Sequence, residues 1–318
     1  MKKNFRLFAI AFATLLIPTL ASCGDDDNDG EKGYEGGSDL SSLAPTITDL
    51  NGNTLRIASI GSYTFDYDER GVIKGCRYSD SEKISFEGNK IVYTTDWDEY
   101  GTYTLALANG NLVTALNYIG EDRDEDSPEK YQGHLSFTYD GDNQCTGFSG
   151  TYVETYGPNR SGERGTHNYN IKQTNTWEDG NLVRCVLEVE EKESGVEDGK
   201  SISGHYKYRQ TFEFQYGTRA NPLRQMPDYI ADRIGRVDDE FVAFTSCGDD
   251  LALLGLLGKG PARLPISETH FVEVTDVKTG ESYSYNSSIG RSSSINIVLN
   301  SNGTISTENG TKYTYVSE

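Results

Sequence analysis

Apolar and polar residues alternate along most of the chain between Thr46 and Gly217. The stretch "GHYKYRQTFEFQY" is the clearest case, with polar residues between its regularly spaced aromatic ones: Tyr206, Tyr208, Phe212, Phe214 and Tyr216. The shorter stretch "SYTFDYD" alternates in the same way. A period of two is typical of antiparallel strands with one buried face and one solvent face. The pattern therefore predicts a protein built mainly of strands.

Turn signals divide these strands into hairpins. The motif F-x-Y-D occurs at 65–68 and again at 137–140, and Gly-Asn pairs occur at 88–89, 110–111 and 180–181. Gly and Asn tolerate the positive φ that tight hairpins need. Three longer polar segments, at 120–131, 157–166 and 192–203, predict loops that gather at one end of the sheet. Together these signals indicate an antiparallel meander.

The pattern changes in the segment 224–258. Ile230 and Ile234 are spaced four residues apart between charged residues, which predicts a short helix. The run "LALLGLLG" that follows is too short to span a membrane. Alternation returns from about Glu268. We therefore predict one β-rich domain, 46–318, mainly β: a meander of hairpins forming a curled sheet or partly closed barrel, with a short helical insertion near 224–258.

The first residues have the features of an export signal. Three basic residues precede the uncharged run "LFAIAFATLLIPTLA", and small residues lie just before Cys23. Leu20-Ala21-Ser22-Cys23 also resembles the lipobox of bacterial lipoproteins, which implies acylation of Cys23, palmitate being one such chain. We predict a signal peptide over 1–22 and a lipidated cysteine with a flexible acidic tether over 23–45. The alternative is an ordinary secretory signal with an accidental cysteine.

The acidic run "GDDDNDGE" after Cys23 has three interpretations. Like charges repel, so it can be a solvated spacer. It also matches the first half of a calcium loop, but the closing position carries Gly36 instead of Glu. It resembles, finally, the surface-export signal of Bacteroides-group lipoproteins. That resemblance implies an outer-membrane protein facing the cell exterior, the periplasmic face being the alternative.

Net charge and cysteine content narrow the classes of partner. The 318 residues carry a formal charge of −20, and removal of the signal would make it −23. This argues against nucleic acid, so the lipid anchor is the predicted link to the membrane. Cys247 lies in a second "SCGDD" but lacks an export signal before it. Cys76, Cys145, Cys185 and Cys247 could form two disulfides in three connectivities, or be small buried residues.

A resemblance to a known family rests on three features of the sequence. These are the F-x-Y-D and Gly-Asn hairpins, the segment "NPL…LGLLG…LP" from Asn221 to Pro265, and the lipobox. Together they resemble an uncharacterised family of Bacteroides-group lipoproteins described as porin-like in fold. The resemblance covers most of the chain after Cys23 and implies a β fold. It supplies no catalytic residues.

The sequence contains no recognisable catalytic or metal-binding motif. His134, His167, His205 and His270 belong to no known arrangement, and their positions predict solvent-facing or loop-edge side chains. We therefore predict a non-enzymatic protein without cofactor or metal. Trp97, Tyr100 and Trp177 lie beside turns and acidic residues, so they are candidates for stacking on a sugar ring. The alternative is that each tryptophan packs across a hairpin.

Three functional hypotheses follow. The first is a surface binding protein for a glycan or another extracellular ligand. The second is a carrier that encloses an apolar ligand inside a curled sheet. The third is a structural or accessory subunit of an outer-membrane complex, which requires an outer-membrane protein partner.

Overall fold

The computed structural model describes residues 43–77, 82–88, 90–95, 99–108, 112–123, 128–159, 161–234, 248–284 and 292–317. Within them lie nineteen strands and two helices. The strands are β1 (Ile47–Thr48), β2 (Thr54–Ile60), β3 (Tyr63–Tyr67), β4 (Ile73–Arg77), β5 (Glu82–Glu87), β6 (Lys90–Thr95), β7 (Glu99–Ala108), β8 (Leu112–Asp122), β9 (Glu129–Tyr139), β10 (Cys145–Tyr156), β11 (Arg164–Glu178), β12 (Asn181–Glu197), β13 (Lys200–Ala220), β14 (Arg263–Asp276), β15 (Ser282–Ser284), β16 (Ser292–Ser294), β17 (Ile297–Leu299), β18 (Ile305–Glu308) and β19 (Thr311–Ser317). The helices are α1 (Asp228–Ile234) and α2 (Gly248–Leu253).

The strands pair in chain order, as a meander does. Each strand from β2 to β14 pairs antiparallel with the next, and β15 and β16 both pair with β14. The hairpins β17–β18–β19 then return the chain to β2. Among the described residues no ladder joins β14 to β17, so the sheet is open there. The predicted antiparallel, mainly β fold is confirmed.

Both helices fall inside the predicted insertion and pack on one face of the sheet, which we call the interior face. Ile230 and Ile234 are fully buried, as their spacing predicts. The carbonyl oxygen of Arg233, in the last turn of α1, accepts hydrogen bonds from Gln173 Nε2 at 3.0 Å and Cys185 Sγ at 3.3 Å. We call this part of the interior, around α1 and α2, the helix-packed end.

Farther along the same face, aromatic rings from neighbouring strands replace the helices. They are Tyr103, Tyr118, Tyr131, Tyr152 and Tyr169, each at most 7% exposed. Tyr103 and Tyr118 stack with ring centroids 4.5 Å apart, and Tyr152 and Tyr169 are 5.6 Å apart. We call this region the tyrosine end.

A glycine explains how rings from non-adjacent strands meet. Gly133 in β9 lies directly between Tyr118 in β8 and Tyr152 in β10. Adjacent strands are about 4.8 Å apart, so these two tyrosines are separated by two strand spacings at their backbones. Because Gly133 has no side chain, the two rings lean over it and their centroids come within 6.5 Å.

One predicted loop is wrong. The polar segment 192–203 continues two strands, with β12 reaching Glu197 and β13 starting at Lys200. Asp198 and Gly199 connect them with φ of 50° and 72°, which is the positive-φ pair of a tight hairpin. Polarity indicated correctly that the turn at 197–201 is exposed, but the Asp-Gly turn lets the ladder continue beyond the apolar core.

The three described cysteines are buried: Cys76, Cys145 and Cys185. Cys185 Sγ lies 3.0 Å from Asn175 Oδ1, which it contacts as a weak donor. Burial raises the pKa of the Cys145 thiol to about 12, so this side chain is an inert packing group. Cys247 lies outside the described residues.

Candidate functional site

The solvent face of β7–β10 carries a groove of 590 Å³ at the tyrosine end, which we call the outer groove. Two cross-strand rows of side chains line it. The first row is Thr102, Ile119, Gln132 and Val153. The second row is Tyr100, Glu121, Lys130 and Thr155. The strand register therefore places eight side chains from four strands side by side.

Apolar and polar groups meet in this groove. Ile119 is 65% exposed and Tyr100 is 41% exposed, both high values for large apolar side chains in strands. The Thr102 hydroxyl donates to the Tyr100 hydroxyl at 3.3 Å, which ties the ring to its strand. Glu121 accepts from Arg123 Nε at 2.7 Å and lies opposite Lys130. A ligand here would meet an apolar floor beside carboxylate, ammonium, amide and hydroxyl groups.

A second groove, of 430 Å³, lies on the solvent face of β11–β14 and differs in character. Its central row alternates in charge from strand to strand: Lys172, Glu188, Arg209 and Glu273. Opposite charges directly across neighbouring strands stabilise the sheet itself. The outer groove, with its exposed ring and aliphatic floor, is therefore the better candidate for a ligand.

The structure separates the predicted site residues. Tyr100 lines the outer groove, whereas Trp97 lies outside the described residues. Trp177 is half-buried and its Nε1 donates to the carbonyl oxygen of Cys145 at 2.8 Å. Cys145 and Thr155 lie ten residues apart along β10, or about 33 Å in an extended strand. Trp177 and Tyr100 are therefore at opposite ends of the sheet.

Sequence reasoning missed the neighbours of Tyr100 in the groove. Ile119, Lys130 and Gln132 come from two other strands, and no local signal marks them as a set. The one available hint is Ile119, an apolar residue on the face that alternation assigns to solvent. Cys23, the predicted lipidation site, lies outside the described residues.

A cluster of ionisable residues occupies the interior face at the tyrosine end. His167 Nδ1 lies 2.7 Å from Glu191 Oε1, and the Tyr208 hydroxyl donates to Glu191 Oε2 at 2.5 Å. Burial lowers the pKa of His167, but the hydrogen bond to Glu191 and nearby carboxylates outweigh it and raise the pKa overall. The sequence predicted a solvent-facing or loop-edge histidine. His167 instead faces the interior, because the strands extend beyond the apolar core.

The described part of the chain offers neither a metal-binding cluster nor a membrane-spanning helix. No group of three or more His, Cys, Asp or Glu side chains in the described ranges could hold a metal ion. Neither α1 nor α2 is long and apolar enough to cross a bilayer, and they are the helices of the described part of the chain.

Comparison with known proteins includes a likeness to a solved structure. No family model and no curated protein matches the chain. A crystal structure of a porin-like protein from Bacteroides uniformis aligns with 74% of this chain and 94% of its own, at 11% sequence identity. The TM-score is 0.24, so the likeness supports no statement about the function of this chain.

Proposed function

We propose that this protein is an outer-membrane lipoprotein, anchored through Cys23 and facing the cell exterior, that binds a glycan in the outer groove without catalysing a reaction. The observation that carries the binding part is the outer groove itself. Tyr100 presents an aromatic ring beside Glu121, Lys130 and Gln132. Sugar rings stack on aromatic faces through their C–H groups, and their hydroxyls hydrogen-bond to carboxylates and amides.

The interior offers less room for the alternative, a carrier of an apolar ligand. Helices fill its helix-packed end, and stacked tyrosine rings fill the other. The solvent face, by contrast, offers a groove whose side chains need no rearrangement to meet a ligand. Geometry therefore favours a ligand on the outside of the sheet.

A thermal-shift screen tests the binding proposal. The purified protein, from residue 24 onward, is heated with oligosaccharides, polysaccharides, fatty acids, bile acids or calcium. A ligand at one hundred times its Kd adds about 2.7 kcal/mol to the free energy of unfolding. We expect an oligosaccharide to raise Tm, and Tyr100→Ala or Ile119→Ala to abolish the shift.

Ile266→Ala is the matched control for the groove variants, because Ile266 is also a strand isoleucine, 49% exposed, outside the outer groove. It should leave the shift intact. A fatty-acid or bile-acid shift that survives Tyr100→Ala would favour the carrier. No shift with any compound would favour the accessory subunit.

Metabolic labelling with a palmitate analogue tests the anchor separately. Cys23→Ser should abolish labelling and release the protein from the outer membrane. Cys247→Ser is the matched control, because both cysteines lie in the same five-residue sequence, Ser-Cys-Gly-Asp-Asp. Equal labelling of the Cys23→Ser variant and the unmodified chain would overturn lipidation at this residue. Digestion by protease added to intact cells distinguishes the exterior from the periplasmic face.

A further inference from the structure

Glu193 has an unusual position in the interior cluster. Its side chain is 4% exposed, and its Oε2 atom accepts no hydrogen bond from any described residue. Its Oε1 atom lies 3.8 Å from His167 Nε2, which is beyond hydrogen-bond distance. A buried carboxylate oxygen without a donor is costly, and native proteins seldom keep one without a reason.

The groups around Glu193 share one electrostatic character. Register places Glu191 beside it on β12, His167 opposite it on β11, and Glu154 opposite His167 on β10. On the other side Gly204 lies opposite Glu193, and Tyr206 lies opposite Glu191. Asp276 of β14 follows, opposite Tyr206. His167 is the one basic side chain in this set, so carboxylates and aromatic rings dominate.

Carboxylates and aromatic faces together recognise a cation. The π face of tyrosine attracts a positive charge, and a carboxylate oxygen accepts its N–H groups. Tyr156 and Tyr169 flank His167, with ring centroids 5.5 and 6.0 Å from its own. The described residues hold no metal-binding group, which favours an organic cation over a metal ion.

Solvent reaches the cluster at His167. The His167 side chain is 17% exposed, whereas Glu193 behind it is nearly closed to solvent. A narrow, flexible group can reach this depth more easily than a bulky one. An alkylammonium chain has this shape, and its three N–H donors suit a carboxylate oxygen that has no partner.

We propose that the interior cluster around Glu193 binds a primary alkylammonium group, with Glu193 Oε2 accepting one of its N–H donors and the tyrosine rings lining its path. This site is independent of the outer groove. It lies on the opposite face of the sheet, so either proposal can fail alone.

Calorimetric titration of the purified protein with spermidine in 150 mM NaCl tests the proposal. We expect saturable binding that weakens at least tenfold in Glu193→Gln. Glu213→Gln is the matched control, since it removes the same charge from an exposed side chain on the solvent face and should change the affinity less than twofold. Equal weakening by both variants would show general attraction to an acidic protein and overturn the site.

A second measurement needs no variant, in case Glu193→Gln does not fold. Tetramethylammonium carries the same charge as a primary ammonium but donates no hydrogen bond. The unmodified protein should bind n-butylammonium, which carries one charge, at least tenfold more tightly than tetramethylammonium. Equal affinities, or no saturable binding of either amine, would overturn the proposal.

Discussion

The two ends of the interior are filled by different means. At the helix-packed end, aliphatic side chains from α1, α2 and the turns after α2 enter the curve of the sheet, and Ile230, Ile234 and Leu257 are fully buried. At the tyrosine end the strands fill the space themselves, with rings stacked from β7 to β11. The first end relies mainly on aliphatic side chains, whereas the second relies on stacked tyrosine rings.

Two buried carboxylates, one at each end, differ in how fully they are hydrogen-bonded. At the helix-packed end, Glu308 accepts hydrogen bonds from the backbone N–H groups of Asp228 and Tyr229 and from the Tyr313 hydroxyl. It therefore satisfies the orphan donors of the first turn of α1. At the tyrosine end, Glu193 has an oxygen with no such donors among the described residues. The carboxylate of Glu308 is structural, and that of Glu193 is available to a ligand.

The largest expected effect lies at the helix-packed end. Ile234→Ala removes a fully buried side chain from the contact between α1 and the sheet. We expect it to lower the free energy of unfolding by about 2–5 kcal/mol, because transfer and cavity terms add. Urea denaturation followed by circular dichroism measures this. Ile266→Ala, at an exposed position, should stay within about 0.5 kcal/mol of the unmodified protein.

A smaller loss is expected from Gly120→Ala at the tyrosine end. A Cβ at this position would lie 2.3 Å from the Tyr118 hydroxyl oxygen, so the buried ring must shift. Such overpacking costs about 1–3 kcal/mol. Gly141→Ala is the control, because no atom lies within 4 Å of its added Cβ. Equal stability of the two variants would contradict tight packing of the Tyr118 ring against Gly120.

The sequence predicts the helix-packed end better than the tyrosine end. Period-two alternation predicts the strands, and the spacing of Ile230 and Ile234 predicts α1, because both are local patterns. A signal for the tyrosine end is present but weak: glycine and tyrosine two residues apart recur in four successive strands, as Gly101-x-Tyr103, Tyr118-x-Gly120, Tyr131-x-Gly133 and Gly150-x-Tyr152. Which tyrosine meets which glycine depends on register, which a single strand does not encode.

The two candidate sites escape sequence reasoning for the same reason. The outer groove assembles side chains of four strands, and Tyr100 alone among them stood beside an acidic turn signal. Glu193 looks like a solvated residue within "EVEEKESG", because acidic residues surround it in sequence. Its burial depends on strand register, which places His167 opposite it on β11, with Tyr156 and Tyr169 beside that histidine.

The pH dependence of stability should reveal both buried carboxylates. Burial raises the pKa of Glu308 to about 7 and also raises that of Glu193. Between pH about 4.5 and 7 the unfolded chain has lost the Glu308 proton while the folded protein keeps it, so stability falls as pH rises. Glu308→Gln should reduce this fall by on the order of 2–3 kcal/mol. Denaturation curves from pH 4.5 to 7.5 measure it.

Glu193→Gln should also reduce the fall of stability with rising pH, because burial raises the pKa of Glu193 as it raises that of Glu308. Asp68→Asn is a useful contrast, since hydrogen bonds from the Val72 and Arg70 amides lower the pKa of Asp68 despite the opposing effect of desolvation. The stabilisation from a lowered pKa is lost only as pH falls below about 4, so Asp68→Asn should leave the change in stability between pH 4.5 and 7.5 unaltered. An unchanged slope in Glu308→Gln would mean that this carboxyl is already ionised in the folded protein at pH 5.

The smallest effect is expected on the solvent face, one residue away from the interior cluster. Glu190 and Glu191 are neighbours in β12 but point to opposite faces, and each contacts a histidine, His205 and His167 respectively. The Glu190–His205 pair is about 30% exposed, so solvent screens it, and Glu190→Gln should cost less than about 1 kcal/mol. Glu191→Gln leaves buried donors on His167 and Tyr208 less well satisfied and should cost about 1–3 kcal/mol.

Urea denaturation at pH 7 in 0.1 and 1 M NaCl separates the two variants. Salt should reduce the small effect of Glu190→Gln. It should leave the larger effect of Glu191→Gln unchanged, because the interior pair is shielded from ions. Equal effects would contradict the different burial of the two pairs.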